Sequence, residues 1–446
     1  MTREDFEREF NSRTLAYHPE YLADDRPVVV VFGDAADSAP GHLLLTSLAN
    51  QLARAHRRLV FVGDLDRALK CADVFALETL EGATVGLARA INPFIDATVE
   101  RSRSDDALIT IGVGADAELA LGCDGWLARV GTTATVEPSA TSMVGAALAS
   151  VIGAAASFHM AIGRTTPPRG SYSAWEFGAC DGAPGPELAL PVDVGRVLQV
   201  GTGAVGCALD YWLAFLGVAG SWVVVDGDLV EVNNLNRQLL FLAIDAGLGA
   251  GVARKKSDVC AERLGNGWRS VPYWYDARES ETARAGVFDL VLPLANERGI
   301  RPLLQGRGQT VLLHATTTPN WSALVHRHVA GHDDCIICRL PIEDEPVFTC
   351  STGTVGEEVR VDASLPFLSA AAGLLLLADI VRLQLGRLLE RPANFGSLDL
   401  RAPEPFVRGL RWECRDACRM WLPAAARLKL ADGHRFARLD PAFARR

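Results

Sequence analysis

Short continuous apolar runs recur along the chain, most of them ending in glycine or a carboxylate, with longer stretches between them. Pro27-Val-Val-Val-Val-Phe-Gly-Asp34, Arg58-Leu-Val-Phe-Val-Gly-Asp-Leu65, Asp106-Ala-Leu-Ile-Thr-Ile-Gly112 and Trp126-Leu-Ala-Arg-Val-Gly-Thr-Thr133 lack the polar alternation of a half-exposed strand. They read as parallel strands buried on both faces. A second series follows in the same order: Arg196-Val-Leu-Gln-Val-Gly-Thr-Gly203, Trp222-Val-Val-Val-Asp-Gly-Asp-Leu229, Asp289-Leu-Val-Leu-Pro293 and Val311-Leu-Leu-His-Ala-Thr-Thr-Thr318. Two apolar helices, Val144 to Ile162 and Phe367 to Leu385, are expected to close each copy. Offsets between matched runs grow from about 165 to about 185 residues, then jump to about 223 at the helix, so the second copy carries an extra segment of about forty residues. Strands alternating with helices imply α/β units, and the repeat implies a pseudo-dimer within one chain. The expected organisation is 1–164, a Pro/Gly-rich linker at 165–192, and 193–446.

Both apolar helices approach membrane-span length, but the first is built of Ala, Gly and Ser around His159 and the second is broken by Asp379 and Arg382. They read as helices packed closely inside a protein. The opening residues are charged and show no secretory pattern. A net charge of −10 disfavours broad binding to nucleic acid or anionic lipid. Ten cysteines are too sparse for a disulfide scaffold in 446 residues, and a reducing cytoplasm is expected.

Chemistry concentrates in the second copy. Gly201-Thr-Gly-Ala-Val-Gly206 joins a strand to an apolar helix, the arrangement in which backbone amides and a helix N-terminus meet a phosphate. Asp226, at the tip of the next strand, is placed to accept from a ribose. A Gly-rich turn of this kind also serves nicotinamide-dependent oxidoreductases. Such an enzyme has no need of Asn234, Arg237 and Gln238 in Val225-Asp-Gly-Asp-Leu-Val-Glu-Val-Asn-Asn-Leu-Asn-Arg-Gln238, nor of Lys256 at the next helix start. Those groups suit a triphosphate. Cys335-Ile-Ile-Cys338 and Cys414-Arg-Asp-Ala-Cys418 have the spacing of a tetrahedral thiolate zinc site.

From Gly201 onward these motifs together resemble the ubiquitin-activating enzyme superfamily of ThiF/MoeB-like adenylating enzymes, which use ATP and Mg2+ to adenylate the C-terminal Gly-Gly carboxylate of a ubiquitin-like protein. The resemblance implies two Rossmann-like adenylation domains, the second with a zinc-bound crossover segment. It implies that Gly201, Gly203, Gly206, Asp226 and Asp228 hold the nucleotide, with Asn234, Arg237, Gln238 and Lys256 at the phosphates and Lys255 as an alternative register. It places an Asp-Asn pair where this chain has Asn296-Glu297, a departure at the expected Mg2+ ligand, and Arg301 follows at the expected spacing. It implies a crossover-loop nucleophile, Cys350, that takes the activated carboxylate as a thioester and passes it to a conjugating enzyme. A more distal position of the family holds Asp362 here. The first copy, with Gly33-Asp-Ala-Ala-Asp-Ser-Ala-Pro-Gly41 in place of the glycine turn, resembles an inactive adenylation half that lends an arginine from its N-terminal helix: Arg13, or Arg8 in reserve. A fused inactive half favours protein conjugation, as in bacterial antiviral operons. Sulfur-carrier or tRNA-modifying adenylation, oxidoreductase chemistry and a non-catalytic scaffold remain as alternatives.

Overall fold

A computed structural model describes residues 1–15, 25–102, 106–139, 142–164, 168–176, 178–179, 185–188, 190–249, 251–275, 288–295, 300–339, 365–401, 406–415, 418, 421–430 and 433–444. Two eight-stranded sheets dominate it. The first contains β1 (Val28–Phe32), β2 (Arg58–Val62), β3 (Asp96–Glu100), β4 (Ile109–Val113), β5 (Leu119–Asp124), β6 (Leu127–Gly131), β7 (Gly170–Ser173) and β8 (Gly178–Ala179). The second contains β9 (Val192–Val200), β10 (Val218–Val225), β11 (Trp268–Val271), β12 (Leu290–Pro293), β13 (Val311–Thr317), β14 (Ser322–Val329), β15 (Phe395–Asp399) and β16 (Phe406–Leu410). Their orders are β3-β2-β1-β4-β5-β6-β7-β8 and β11-β10-β9-β12-β13-β14-β15-β16, the same sequence of positions. In each sheet the first five strands run parallel and the remaining three are antiparallel.

Topology alters three details of the repeat. The partner of β13 is β5 (Leu119–Asp124), and the 126–133 run matches β14 instead of the 311–318 run. The shared Thr-rich endings conceal this one-strand slip. With β6 matched to β14 the offset is already about 195 residues, which leaves about 27, not forty, to be inserted before the helix. The stretch read as a linker carries β7, which pairs with β6. Each copy therefore continues past the apolar helix into two further antiparallel strands.

Helices Val144–Ala161 and Pro366–Gln384 are long and apolar enough to cross a membrane, yet 83 % and 100 % of their apolar windows are buried inside the fold. They pack on each other across the two copies, with Phe158 5.6 Å from Phe367 and 5.3 Å from Trp321 between ring centroids. A helix apolar on every side is stable where every side is covered. Gly373 explains how close the packing is: a Cβ there would lie 2.6 Å from the backbone nitrogen of Leu209 on the neighbouring helix, Ala204–Leu216. One continuous apolar core thus joins both copies.

In the second sheet the strand order reverses between β9 and β12. The crevice beyond the carboxyl ends of those strands is where open α/β sheets bind ligands. Gly201 follows β9 and Leu294-Ala295 follows β12.

Candidate nucleotide site and cysteine cluster

At Gly201 the chain turns with φ +104°, and a Cβ would lie 2.6 Å from the nitrogen of Ala295. Glycine is therefore required twice, by conformation and by space. We expect Gly201→Ala to lower stability by about 2 kcal/mol or more, read from the urea midpoint. Gly206 is pressed against the Gly201 carbonyl, whereas a Cβ at Gly203, the N-cap of Ala204–Leu216, would meet nothing within 4 Å. Among the described residues, space is thus left beside the first turn of this helix. Beside it, Asp226 Oδ2 accepts from the Thr202 amide at 2.7 Å and the Thr202 hydroxyl at 3.0 Å, while Oδ1 accepts from the Asp228 amide at 2.9 Å. These bonds fix the carboxylate and leave lone pairs for a further donor. A Cβ on Gly227 would lie 2.8 Å from the Trp274 ring, so an indole wall stands between the two acidic residues.

Lys256 opens the helix Lys256–Leu264 and turns its ammonium to Asp228 Oδ2 at 2.9 Å. Lys255 donates instead to the Gly227 carbonyl at 2.6 Å. Burial pushes the Asp228 carboxyl up from its ordinary pKa, the Lys256 ammonium pulls it down, and Asp226 pushes it up again. Asp228 Oδ1 is buried with no hydrogen-bond partner among the described residues. A hard dication suits an oxygen of that kind, so the residues present fit Mg2+.

The loop between β10 and Lys256 carries the remaining groups. The Glu231 amide donates to Asn234 Oδ1 at 3.0 Å, and the Glu231 side chain accepts from the Asn234 amide, a reciprocal cap. Asn234 Nδ2 donates to Asn233 Oδ1 at 2.8 Å. Arg237 donates to the Asn233 carbonyl and, at 3.1 Å, to Asn236 Oδ1, and Gln238 is buried beside it. The first copy reaches this loop through several groups, of which two points bear on the site. Asn236 Nδ2 donates to Thr14 Oγ1 at 3.3 Å, one residue along the chain from Arg13. Arg8 lies on the exposed face of its helix, paired with Asp5 at 2.7 Å. The second point, Arg54, carries no sequence signal. It is fully buried on helix Ala39–Ala53's C-cap and donates to the carbonyls of Leu235, Leu239 and Phe241.

The equivalent crevice of the first sheet is closed by its own charges. Arg67 pairs with Asp34 at 2.6 Å and with Asp37 at 3.2 Å, and Lys70 pairs with Asp37 at 2.8 Å. A Cβ on Gly33 would lie 2.3 Å from the Gly114 oxygen.

Residues 192–404, from β9 to just past β15, match the ThiF family. That stretch is a ThiF-family domain. Protein y4jF of Sinorhizobium fredii is 30 % identical over 239 residues, 50 % of this chain and 44 % of that one. The NEDD8-activating enzyme E1 catalytic subunit of Arabidopsis thaliana is 34 % identical over 112 residues, 24 % of this chain and 23 % of that one. The sulfur carrier protein ThiS adenylyltransferase of Escherichia coli is 29 % identical over 186 residues, 39 % of this chain and 70 % of that enzyme. The chain spans less than half the length of the first two.

The second copy also holds the four paired cysteines, two inside the matched stretch and two beyond it, with all sulfurs within 4.8 Å of one another. Cys335 Sγ is 3.5 Å from Cys418 Sγ, while the amides of Cys335 and Arg415 donate to the sulfurs of Cys414 and Cys338 at 3.2 and 3.4 Å. Burial and the neighbouring sulfurs push the Cys335 thiol up, an environment that a dication reverses. The set fits a thiolate-bound zinc ion. Asn296, Glu297, Cys350 and Asp362 lie outside the described residues. Under the glycine turn, Gln199 Nε2 donates to the buried Asp210 at 3.0 Å, and burial pushes that carboxyl up to about 8. In sequence Asp210 is merely one polar residue in an apolar helix.

Proposed function

We propose that the chain adenylates the C-terminal carboxylate of a ubiquitin-like protein. A carboxylate oxygen of that tail attacks the α-phosphorus of ATP, the bond to the β-phosphate breaks, and pyrophosphate leaves. The observation carrying this reading is the conjunction, at one strand-order reversal, of a helix N-terminus with space beside its first turn, a fixed Asp226, the buried Lys256–Asp228 pair and the Arg237 loop. Asp226 orients the ribose, the amides around Gly203 cradle phosphate, and Lys256 with Arg237 meets the charge that moves onto the leaving oxygens. Asn234 and Gln238 brace the loop. Arg13 reaches the phosphates from the first copy, which otherwise serves as the inactive partner. Asp228 would hold Mg2+ in part, and the ion would supply charge neutralisation at the phosphates. Zn2+ on Cys335, Cys338, Cys414 and Cys418 ties the segment after β14 to the C-terminal region. Domain limits of 1–164, 165–192 and 193–446, as adjusted by β7 and β8, belong to the same reading, as does a cytoplasmic location.

The first test is carboxylate-dependent exchange of pyrophosphate into ATP with a ubiquitin-like protein ending in Gly-Gly. NAD binding without exchange would replace this reading by an oxidoreductase. In the second half-reaction the Cys350 thiolate attacks the acyl-adenylate, AMP leaves, and the thioester passes to a conjugating enzyme. The similarity to the ThiS adenylyltransferase favours a second reading, a sulfur-carrier or tRNA-modifying enzyme without that transfer. Cys350→Ala separates them: a reducible adduct present in the wild type should disappear while exchange continues. Transfer that persists in the variant removes the thioester step. A ubiquitin-like reading frame, a conjugating enzyme and a metalloprotease beside this gene would extend the proposal to an antiviral conjugation system.

A further inference from the structure

Three histidines of the second sheet stand together, apart from the nucleotide turn. His314 on β13 lies directly opposite His326 on β14, and His328 follows two positions later, so all three project to one face. One ring nitrogen from each falls within 4.8 Å of the others. All three are buried, at 4 %, 2 % and 0 % exposure, as is Asp334 at 0 %.

Their hydrogen bonds are those of outer-anchored metal ligands. His328 Nδ1 lies 2.9 Å from the Asp334 carbonyl. A carbonyl only accepts, so Nδ1 carries the proton and Nε2 holds the lone pair. That Nε2 is buried without a partner. His326 Nε2 donates to Asp334 Oδ1 at 2.9 Å, which leaves Nδ1 as its lone-pair atom. Both nitrogens of His314 are buried and unpartnered. A histidine that ligates a metal characteristically gives its other N–H to a carboxylate or a backbone carbonyl, and Asp334 provides both. Asn394 Nδ2 holds the same carboxylate at 2.8 Å. A core packed for apolar contact alone would have no reason to bury an imidazole with both nitrogens idle.

We propose that His314, His326 and His328 bind a second divalent transition-metal ion, of which Zn2+ is the natural occupant, with Asp334 as the outer anchor. Imidazole nitrogens suit zinc, and three of them satisfy most of a tetrahedral shell. The site would join β13 to β14 and fix Asp334, the residue before Cys335 of the cysteine cluster. Two ions would then clamp one corner of the second copy, one through nitrogen and one through sulfur.

The test is metal content and ligand type in the full-length protein refolded with Zn2+ or Co2+. Two equivalents per chain are expected. His314→Gln should remove one and leave intact the sulfur-to-cobalt charge-transfer band. Cys335→Ser with Cys414→Ser should remove that band and leave one ion in a nitrogen and oxygen shell. Failure of the cysteine site alone would appear as a nitrogen-rich shell without the band, so the two sites are judged separately. X-ray absorption on the wild type, together with His328→Asn, decides the case if His314→Gln does not fold. A sulfur-only shell at one equivalent, unmoved by the histidine variants, overturns the proposal.

Discussion

Lys256→Ala is expected to reduce carboxylate-dependent pyrophosphate exchange by about a hundredfold to a thousandfold, the range seen when one preorganised electrostatic group is removed from a reacting centre. The geometry gives two routes to that loss. The ammonium 2.9 Å from Asp228 is the nearest described cation to the acidic pair beside the glycine turn. Without it the transferred phosphoryl group loses a point charge. Asp228 also loses the partner that pulls its carboxyl down, while burial and Asp226 continue to push it up. A carboxyl driven toward its neutral form is a poor ligand for a hard cation. The variant should therefore need more Mg2+ for any residual exchange, with an apparent dependence displaced upward. Lys255→Ala is the control, because its ammonium engages a backbone carbonyl. It should retain exchange within a few-fold. Equal losses in the two variants would show that Lys256 acts by general surface charge.

The amino-acid pattern carried a good deal of this. Short apolar runs located β1, β2, β4, β9, β10, β12 and β13 because a parallel strand buried on both faces has one composition throughout. The edge strands β3 and β11 were passed over. Asp96–Glu100 mixes charge with apolar residues, as an exposed edge does, and Trp268–Val271 is only four residues long. The hairpin β7–β8 was hidden by glycine and serine, which read as linker until Trp126 is seen packing on Trp175 at 5.0 Å. In the site, Gly201, Asp226, Arg237 and Lys256 fall within one stretch and form a recognisable string. Arg54 and His314 belong to no string. The first acts across about 180 residues of chain and the second meets its neighbours only through sheet register. Pairings of that kind exist only once the fold is known.

Arg54→Met should cost about 3–5 kcal/mol of stability, a loss reserved for a small set of buried-network failures. The guanidinium is 1 % exposed, and its hydrogen bonds go to one side-chain amide and to backbone carbonyls. Its donors go to Asn50 Oδ1 at 2.8 Å, Leu239 O at 2.9 Å, Phe241 O at 3.1 Å and the Leu235 carbonyl. Burial pushes its pKa down to about 9, so it stays a cation at neutral pH, solvated by carbonyl dipoles in place of water. Methionine keeps much of the volume and removes every donor. The carbonyls at 235, 239 and 241 are then left buried with fewer partners, although Asn50 Nδ2 still reaches Leu239 at 3.1 Å. Those three carbonyls bracket Asn236, Arg237 and Gln238, so loosening them should also misplace the Arg237 guanidinium. Exchange should fall together with the urea midpoint. Lys256→Ala, by contrast, should lower exchange with a much smaller change in midpoint. Arg54→Lys should fall between, since one ammonium offers three donors without the planar fork that reaches three carbonyls at once. A first copy that had only lost its chemistry could tolerate Arg54→Met with both readouts unchanged. A loss of both would mean that the silent half holds the shape of the working one.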